Sequence, residues 1–163
     1  MSQPIRAPVG TQLVVRPSTA SDRGFVLATA RRLADFGPPP WRSVDEVVLR
    51  EQRALAEFFD RPETGSALYV ATRGGEPLGF IFLTTHDDYF TDEKVGHVDI
   101  IAVDERGEGQ GVGGALMREA EQWGRSLGYR RLTLNVFDRN DRARRIYEHL
   151  GWRPENVHYI KVL

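Results

Sequence analysis

Five glycines within eight residues separate an apolar stretch from an amphipathic one, and no other feature restricts the fold as strongly. They are Gly107, Gly109, Gly111, Gly113 and Gly114. Glycine costs backbone entropy, so this density is expected where the main chain must approach another group closely. Between a strand and a helix N-terminus, free N–H groups and the positive end of the helix dipole favour an anion. The turn therefore predicts a phosphate-bearing ligand.

The hydrophobic periodicity around this turn predicts the element order β-α-α-β-β-β-α-β-α-β. We expect strands at 11–16, 67–72, 78–84, 95–103, 131–137 and 157–163. We expect helices at about 20–36, 44–59, from 111 with Gly128 at the C′ position, and at 140–150. A hairpin turn is expected at 73–76, and Ser43 with Glu46 fits a capping box. The fold class is α/β (α+β): a mixed sheet of six to seven strands with about four helices.

Length and composition are those of an ordinary globular protein of 163 residues. We expect a flexible N-terminal tail over residues 1–10 and one domain over 11–163. The formal net charge of −1 provides no field for nucleic acid or an anionic membrane. The absence of a signal-peptide pattern and of long apolar runs makes the cytoplasm the expected location. With no cysteine, and four histidines without ligand spacing, no metal is expected.

Two other phosphate-binding motifs fit the glycine turn less well. A Walker A loop needs Lys and then Ser or Thr after its last glycine, whereas Ala115 and Leu116 follow Gly114. The dinucleotide pattern G-x-G-x-x-G matches Gly109, Gly111 and Gly114, but residues 104–108 intervene between the strand and the glycines. A turn that is merely flexible or tightly packed is the remaining alternative, and five glycines make it a poor one.

The combined pattern resembles the GCN5-related N-acetyltransferase (GNAT) family over almost the whole chain. That family's motif is [Q/R]-x-x-G-x-[G/A], and residues 108–113 provide its glycines at Gly111 and Gly113. Glu108 stands where Gln or Arg is usual. Downstream, Asn140-x-x-Ala143-x-x-x-Tyr147-x-x-x-Gly151-Trp152 is similar to the second family signature, in which Phe is common at the last position.

The resemblance implies a mostly antiparallel sheet and acetyl-CoA as acyl donor. The diphosphate would lie on the backbone amides of Gln110, Gly111, Val112, Gly113, Gly114 and Ala115. Pantetheine would lie in a gap between strands 95–103 and 131–137, where Ile101 and Val103 offer backbone groups, and one N–H of this strand would stabilise the oxyanion. Asn140 would cap the next helix and touch the ligand. Of Arg139, Arg142, Arg144 and Arg145, one or two would reach phosphates, and the others would be solvated.

The resemblance also suggests the catalytic residues. Tyr147 would be the general acid for the thiolate leaving group, although its spacing also fits a packing stripe with Ala143, Ile146 and Leu150. Asp99 is the first candidate for the general base, followed by His97 and His86, and an exposed structural aspartate is the alternative. Glu108 points to solvent, pairs with Arg106 or Arg118, or weakens cofactor binding.

These features indicate an N-acetyltransferase that acts by direct attack in a ternary complex. The acceptor is a primary amine of a small molecule, amino acid, polyamine or peptide. We expect residues 38–41 and the acidic, aromatic loop 86–93 to determine which acceptor is bound. The alternative for loop 86–93 is an ordinary solvated hairpin loop. The rival functions are a non-catalytic acyl-CoA-binding or sensor domain on the same fold and a nucleotide-binding regulatory domain. A homodimer is compatible with these features.

Overall fold

A computed structural model describes residues 12–163; the expected tail at 1–10 and residue Thr11 lie outside the described residues. The described chain has five strands: β1 (Leu13–Pro17), β2 (Ala67–Arg73), β3 (Glu76–Asp87), β4 (Lys94–Val103) and β5 (Leu132–Leu134). Its α-helices are α1 (Arg23–Thr29), α2 (Val44–Asp60), α3 (Val112–Ser126) and α4 (Asp141–His149). Short 3₁₀ segments occupy Ala20–Asp22, Ala30–Ala34 and Glu105–Gly107.

The sheet has the order β1-β2-β3-β4-β5, and only the β4–β5 pair is parallel. β2 and β3 are joined by Gly74 and Gly75, which both have positive φ (58° and 87°), as tight hairpin turns require. This confirms the hairpin expected at 73–76. The mixed, mostly antiparallel sheet with four α-helices also confirms the fold class.

Alternation along β3 places a core on each face of the sheet. Phe80 and Phe82 face a core that includes Val26 of α1 and Leu55 of α2. Ile81 and Leu83 face the opposite core, which includes Leu116 of α3. The sheet is therefore covered by α1 and α2 on one side and by α3 on the other.

β4 contains a bulge at Asp99. In the register of β3 and β4, Phe82 pairs with Ile100 and Leu83 with Val98, which leaves Asp99 as the extra residue. One extra residue shifts all later side chains to the opposite face. Val98 accordingly packs in the α3 core, whereas Ile100 packs in the α1–α2 core.

The helix expected at 20–36 is divided into a 3₁₀ turn, α1 and a second 3₁₀ segment. The first turn is held by Asp22, whose carboxylate accepts from Thr19 N at 2.7 Å and from the Arg16 guanidinium at 2.8 Å. The capping box is confirmed: Ser43 Oγ accepts from Glu46 N at 3.1 Å, and Glu46 Oε2 accepts from Ser43 N at 2.6 Å.

The sheet of the described residues has five strands rather than six to seven. β5 covers three residues of the expected 131–137, because the chain turns away after Leu134. The strand expected at 157–163 is wrong: these residues have no regular structure, and Val157 and Tyr159 are 75% and 88% exposed. Alternation alone does not make a strand, since its backbone groups also need a neighbouring strand.

Candidate active site

The parallel pair β4–β5 separates halfway along β4. Pairing extends from Gly96–Leu132 to Val98–Leu134, and β4 continues to Val103 paired only with β3. Evenly spaced hydrogen bonds join parallel strands for as long as they run side by side. Because β5 separates from β4 after Val98, the second half of β4 has no strand of the described chain on this edge, and its backbone groups are exposed there. The gap expected from the family resemblance is therefore present.

The backbone groups of Ile101 and Val103 point into this gap. Asp104 N donates to Leu78 O at 2.8 Å, which directs the Asp104 amide toward β3. In an antiparallel pair, alternate residues face alternate edges, so Ala102 bonds β3 while Ile101 and Val103 face away from it. This orientation depends on the Asp99 bulge.

The glycine turn has a packed end and an open end. At Gly107, an added Cβ would lie 2.8 Å from Leu78 O, so this glycine permits the turn to pack against β3. Gly111 has φ +79° and forms the N-cap of α3, a conformation that other residues rarely adopt. The turn therefore combines both roles: packing against β3 and opening the helix.

Not all six expected amides are available to a ligand. Gln110 N donates to Gly107 O at 3.3 Å, and Ala115 N donates to Gly111 O at 3.0 Å. The amides of Val112, Gly113 and Gly114 form the first turn of α3, where no preceding carbonyl lies in position to accept. These three, together with the helix dipole, form the anion-binding end.

A cavity of about 510 Å³ connects the strand gap, the glycine turn and α4. Nine of the eleven predicted site residues line it: Asp99, Ile101, Val103, Gly111, Val112, Gly113, Gly114, Asn140 and Tyr147. Gln110 and Ala115 do not. The Gln110 side chain instead donates to Arg106 O at 2.5 Å and accepts from Arg73, away from the cavity.

Tyr147 forms part of the cavity wall on α4, and burial raises the pKa of its phenol. The helix is started by Asn140, whose Oδ1 accepts from Ala143 N at 3.2 Å. Asn140 thus acts as the N-cap and also lines the cavity. A protonated phenol at neutral pH is the state in which tyrosine can donate a proton.

Acidic and aromatic side chains also line the cavity. Asp99 and Glu51 of α2 line it, and so do Phe36 and Phe137, whose rings stack with 5.0 Å between their centroids. Burial raises the pKa of Glu51; Arg50 opposes this, and the charge of Asp99 adds to it. Glu51 is not among the site residues expected from the sequence, although a signal for it is present: it is a carboxylate four residues after Val47 in the apolar stripe of α2.

The two histidines considered as bases lie beside the cavity but do not line it. His86 and His97 stack with 4.6 Å between ring centroids, and His97 Nδ1 is 2.7 Å from Thr133 Oγ1. Burial lowers the pKa of His97, the charge of Asp99 opposes this, and His86 lowers it further. The Thr84 hydroxyl donates to the Asp99 carboxylate. Of the three candidate bases, only Asp99 faces the cavity.

Two arginines converge on Glu108 in the cavity lining. Its Oε1 accepts from Arg32 Nη2 at 2.5 Å and from Arg142 Nη1 at 3.4 Å, and all three residues line the cavity. Neither pairing expected from the sequence occurs, because Arg106 binds Asp104 at 2.7 Å and no contact between Arg118 and Glu108 is present among the described residues. Of the four arginines near α4, only Arg142 lines the cavity.

Neither segment to which acceptor specificity was assigned lines the cavity. In the loop at 86–93, Asp87 pairs with Lys94 at 2.6 Å and Glu93 with Arg131 at 3.1 Å. Asp88 Oδ1 accepts from the Phe90 and Thr91 amides, both at 3.0 Å. These carboxylates therefore hold the loop itself, whereas the carboxylates that line the cavity belong to Asp35, Glu51, Asp99 and Glu108.

A model of the acetyltransferase (GNAT) family matches residues 30–152. The chain belongs to the GNAT family. It is 31% identical over 153 residues to mycothiol acetyltransferase of Nocardiopsis dassonvillei, covering 91% of this chain and 44% of the relative. Human N-acetyltransferase 8B is 26% identical over 138 residues, covering 85% of this chain and 61% of the relative. The chain thus spans less than half of the first relative and less than two thirds of the second.

Solved structures share the fold at low identity. Aminoglycoside N-acetyltransferase AAC(6')-Iy in complex with CoA has a TM-score of 0.72 at 18% identity, covering 96% of this chain and 99% of its own. A GCN5-related N-acetyltransferase from Ralstonia eutropha JMP134 has a TM-score of 0.73 at 20% identity, covering 93% and 99%. Both support the architecture of this GNAT member.

Within residues 12–163, no three His, Asp or Glu side chains converge in a way that would hold a metal ion. No helix in the same range is both long and apolar enough to cross a membrane.

Proposed function

We propose that this GNAT member, as one domain over residues 11–163, transfers an acetyl group from acetyl-CoA to a primary amine. The observation that carries the proposal is a single cavity that joins the α3 N-terminus, the β4–β5 gap and the Tyr147 side chain. A diphosphate, an extended pantetheine arm and a thioester would fit these three features in turn. The acyl group is transferred directly, without a covalent enzyme intermediate.

The donor would be held mainly by backbone groups. The amides of Val112, Gly113 and Gly114 offer charge-assisted hydrogen bonds to the diphosphate. The polar groups of Ile101 and Val103 face the gap and match the amides of pantetheine. One of these N–H groups would stabilise the oxyanion formed when the thioester carbonyl is attacked.

The acceptor must lose a proton before it attacks. An amine with a pKa of about 10.4 is neutral in only about one part in 2,500 at pH 7, which corresponds to about 4.6 kcal/mol. We assign the role of base to Asp99, directly or through water, because it is the candidate base that faces the cavity. Glu51 and the stacked Phe36 and Phe137 also line the cavity and favour a cationic acceptor.

Tyr147 completes the transfer. The amine nitrogen attacks the thioester carbon, the carbon–sulfur bond breaks, and the phenol proton passes to the departing sulfur. The proton that the nitrogen loses as it becomes an amide then restores the phenol, directly or through water. A thiolate with a pKa of about 8.5 is the weaker base, so the transfer from a tyrosine of pKa about 10 or higher must be concerted with departure. The raised pKa of Tyr147 keeps it protonated over the working range.

The test is an assay of thiol release from acetyl-CoA with a panel of monoamines, polyamines, amino acids, aminoglycosides and peptides. We expect CoA binding in calorimetry and amine-dependent thiol release with cationic amines. CoA binding without release for any amine would instead support the non-catalytic acyl-CoA-binding function. Absence of CoA binding, with ATP or NAD raising the melting temperature, would support a nucleotide-binding domain.

A further inference from the structure

Glu108 belongs to the same glycine turn to which the proposed function assigns the diphosphate. It follows Gly107 in the turn, lines the cavity, and its Oε1 lies between two guanidinium groups. Arg32 comes from the 3₁₀ segment after α1, and Arg142 comes from the first turn of α4. Three separate parts of the chain thus meet at one carboxylate oxygen.

Two guanidinium groups and three carboxylates lie at this position. Arg32 is the more buried arginine, with 23% of its side chain exposed, and it also contacts Glu105 at 3.2 Å and Asp35 at 3.6 Å. A bound diphosphate beside Glu108 would be repelled by the carboxylate but attracted by both arginines. The arrangement is therefore stable without ligand and unfavourable once the diphosphate arrives.

We propose that Arg32 and Arg142 are diphosphate-binding residues, and that the Glu108 carboxylate is an internal substitute which coenzyme A displaces. The proposal rests on coenzyme A as the ligand of the proposed function. On binding, the diphosphate oxygens take the guanidinium hydrogen bonds that Glu108 accepts in this structure. Bonds between guanidinium and phosphate are geometrically well matched, which favours the exchange.

The exchange would also affect the cavity wall beside Arg32. Arg32 lies next to Leu33 and four residues before Phe36, and all three line the cavity. Holding Arg32 against the diphosphate would fix the segment that carries Phe36. Donor binding would thereby order this part of the cavity wall.

The experiment measures binding of three ligands by calorimetry: CoA, 3′-dephospho-CoA and pantetheine. Arg32→Ala and Arg142→Ala should each weaken CoA by about tenfold, as expected for a lost hydrogen bond between charged groups. Glu108→Gln should strengthen CoA by about three- to tenfold. The effects should be the same for dephospho-CoA, which keeps the diphosphate, and absent for pantetheine, which has none.

Matched controls are available beside each residue. Arg31 and Arg145 are exposed and do not line the cavity, so Arg31→Ala and Arg145→Ala should leave CoA affinity within twofold of the original. Glu105 contacts Arg32 but lies outside the cavity lining. Glu105→Gln therefore removes one carboxylate from Arg32 while it keeps the Glu108 carboxylate, which competes with the diphosphate. The melting temperature of each variant shows whether it is folded under the conditions of the binding experiment. If Arg32→Ala does not fold, Arg32→Gln is used in its place.

The outcomes separate this inference from the proposed function. If the unaltered protein does not bind CoA, both are wrong. If it binds CoA and Arg32→Ala or Arg32→Gln binds equally well, the arginine serves only to hold Glu108 and the exchange is wrong. Weaker CoA binding by Glu108→Gln would likewise overturn it, and an effect restricted to CoA over dephospho-CoA would assign the arginines to the 3′-phosphate instead.

Discussion

Tyr147 packs against Trp152, with 6.5 Å between their ring centroids, and Trp152 N donates to Tyr147 O at 3.0 Å. This contact folds the chain back after α4 through Gly151, whose φ is +90°. Both rings also pack against the α3 core. The phenol is therefore held at the cavity wall by packing on one side and open to the cavity on the other.

Replacing Tyr147 with Phe should therefore affect chemistry rather than folding or cofactor binding. We expect kcat to fall tenfold or more, because the leaving sulfur loses its proton donor, while the CoA dissociation constant changes less than twofold. Steady-state kinetics and calorimetry measure the two quantities. Tyr159→Phe is the control, since Tyr159 is 88% exposed and outside the cavity. Equal turnover of Tyr147→Phe would remove Tyr147 from the mechanism.

Gly111 combines a positive φ with space around its Cβ position. Gly111→Ala should lose about 1 kcal/mol of stability from backbone strain and should still bind CoA. Gly111→Glu has the same strain but adds bulk and a negative charge at the anion-binding end, so CoA binding should be abolished. Because both variants share the backbone strain, the difference between their CoA affinities in calorimetry measures the effect of the glutamate side chain alone. Equal CoA affinity in both would contradict the assignment of the turn.

Local patterns in the sequence were sufficient for much of the fold. The capping box at Ser43, the hairpin at Gly74 and Gly75 and the turn leading into α3 depend on neighbouring residues, which the sequence displays directly. The cavity lining followed from the family resemblance for the same reason: its motifs are contiguous. Nine of the eleven predicted site residues accordingly line the cavity.

The features that were missed depend on contacts between distant parts of the chain. Arg32 and Glu108 are 76 residues apart, and no local pattern indicates that they meet. The Asp99 bulge is defined only by the register with β3. The strand at 157–163 was expected from alternation, but a strand also requires a neighbour, and its alternating residues are exposed instead.

The charge of Glu51 should lower the stability of the fold and at the same time favour binding of a cationic acceptor. Burial raises the pKa of its carboxyl in the folded protein, so the charged form destabilises the fold as pH rises through that value. Glu51→Gln should therefore raise the melting temperature at pH 7, and the difference should vanish near pH 4, below the unfolded pKa of about 4.3. The same variant should increase KM for cationic amines.

The control for Glu51 is Glu57→Gln on the same helix, because Glu57 is exposed and does not line the cavity. It should change neither the pH dependence of the melting temperature nor KM. A Glu51→Gln protein that melts like the original at both pH values would show that the carboxylate is solvated. An unchanged KM would remove Glu51 from acceptor recognition.

Asp99→Asn tests the proposed base with little disturbance, since an amide oxygen still accepts the hydrogen bond from Thr84. At pH 7 we expect kcat/KM to fall about a hundredfold, a typical loss for a general base. The deficit should shrink as pH approaches the amine pKa of about 10.4, because the acceptor then loses its proton without help. Asp87→Asn is the control, since Asp87 pairs with Lys94 outside the cavity. A deficit that stays constant with pH would mean that Asp99 positions the acceptor and that the proton leaves by another route.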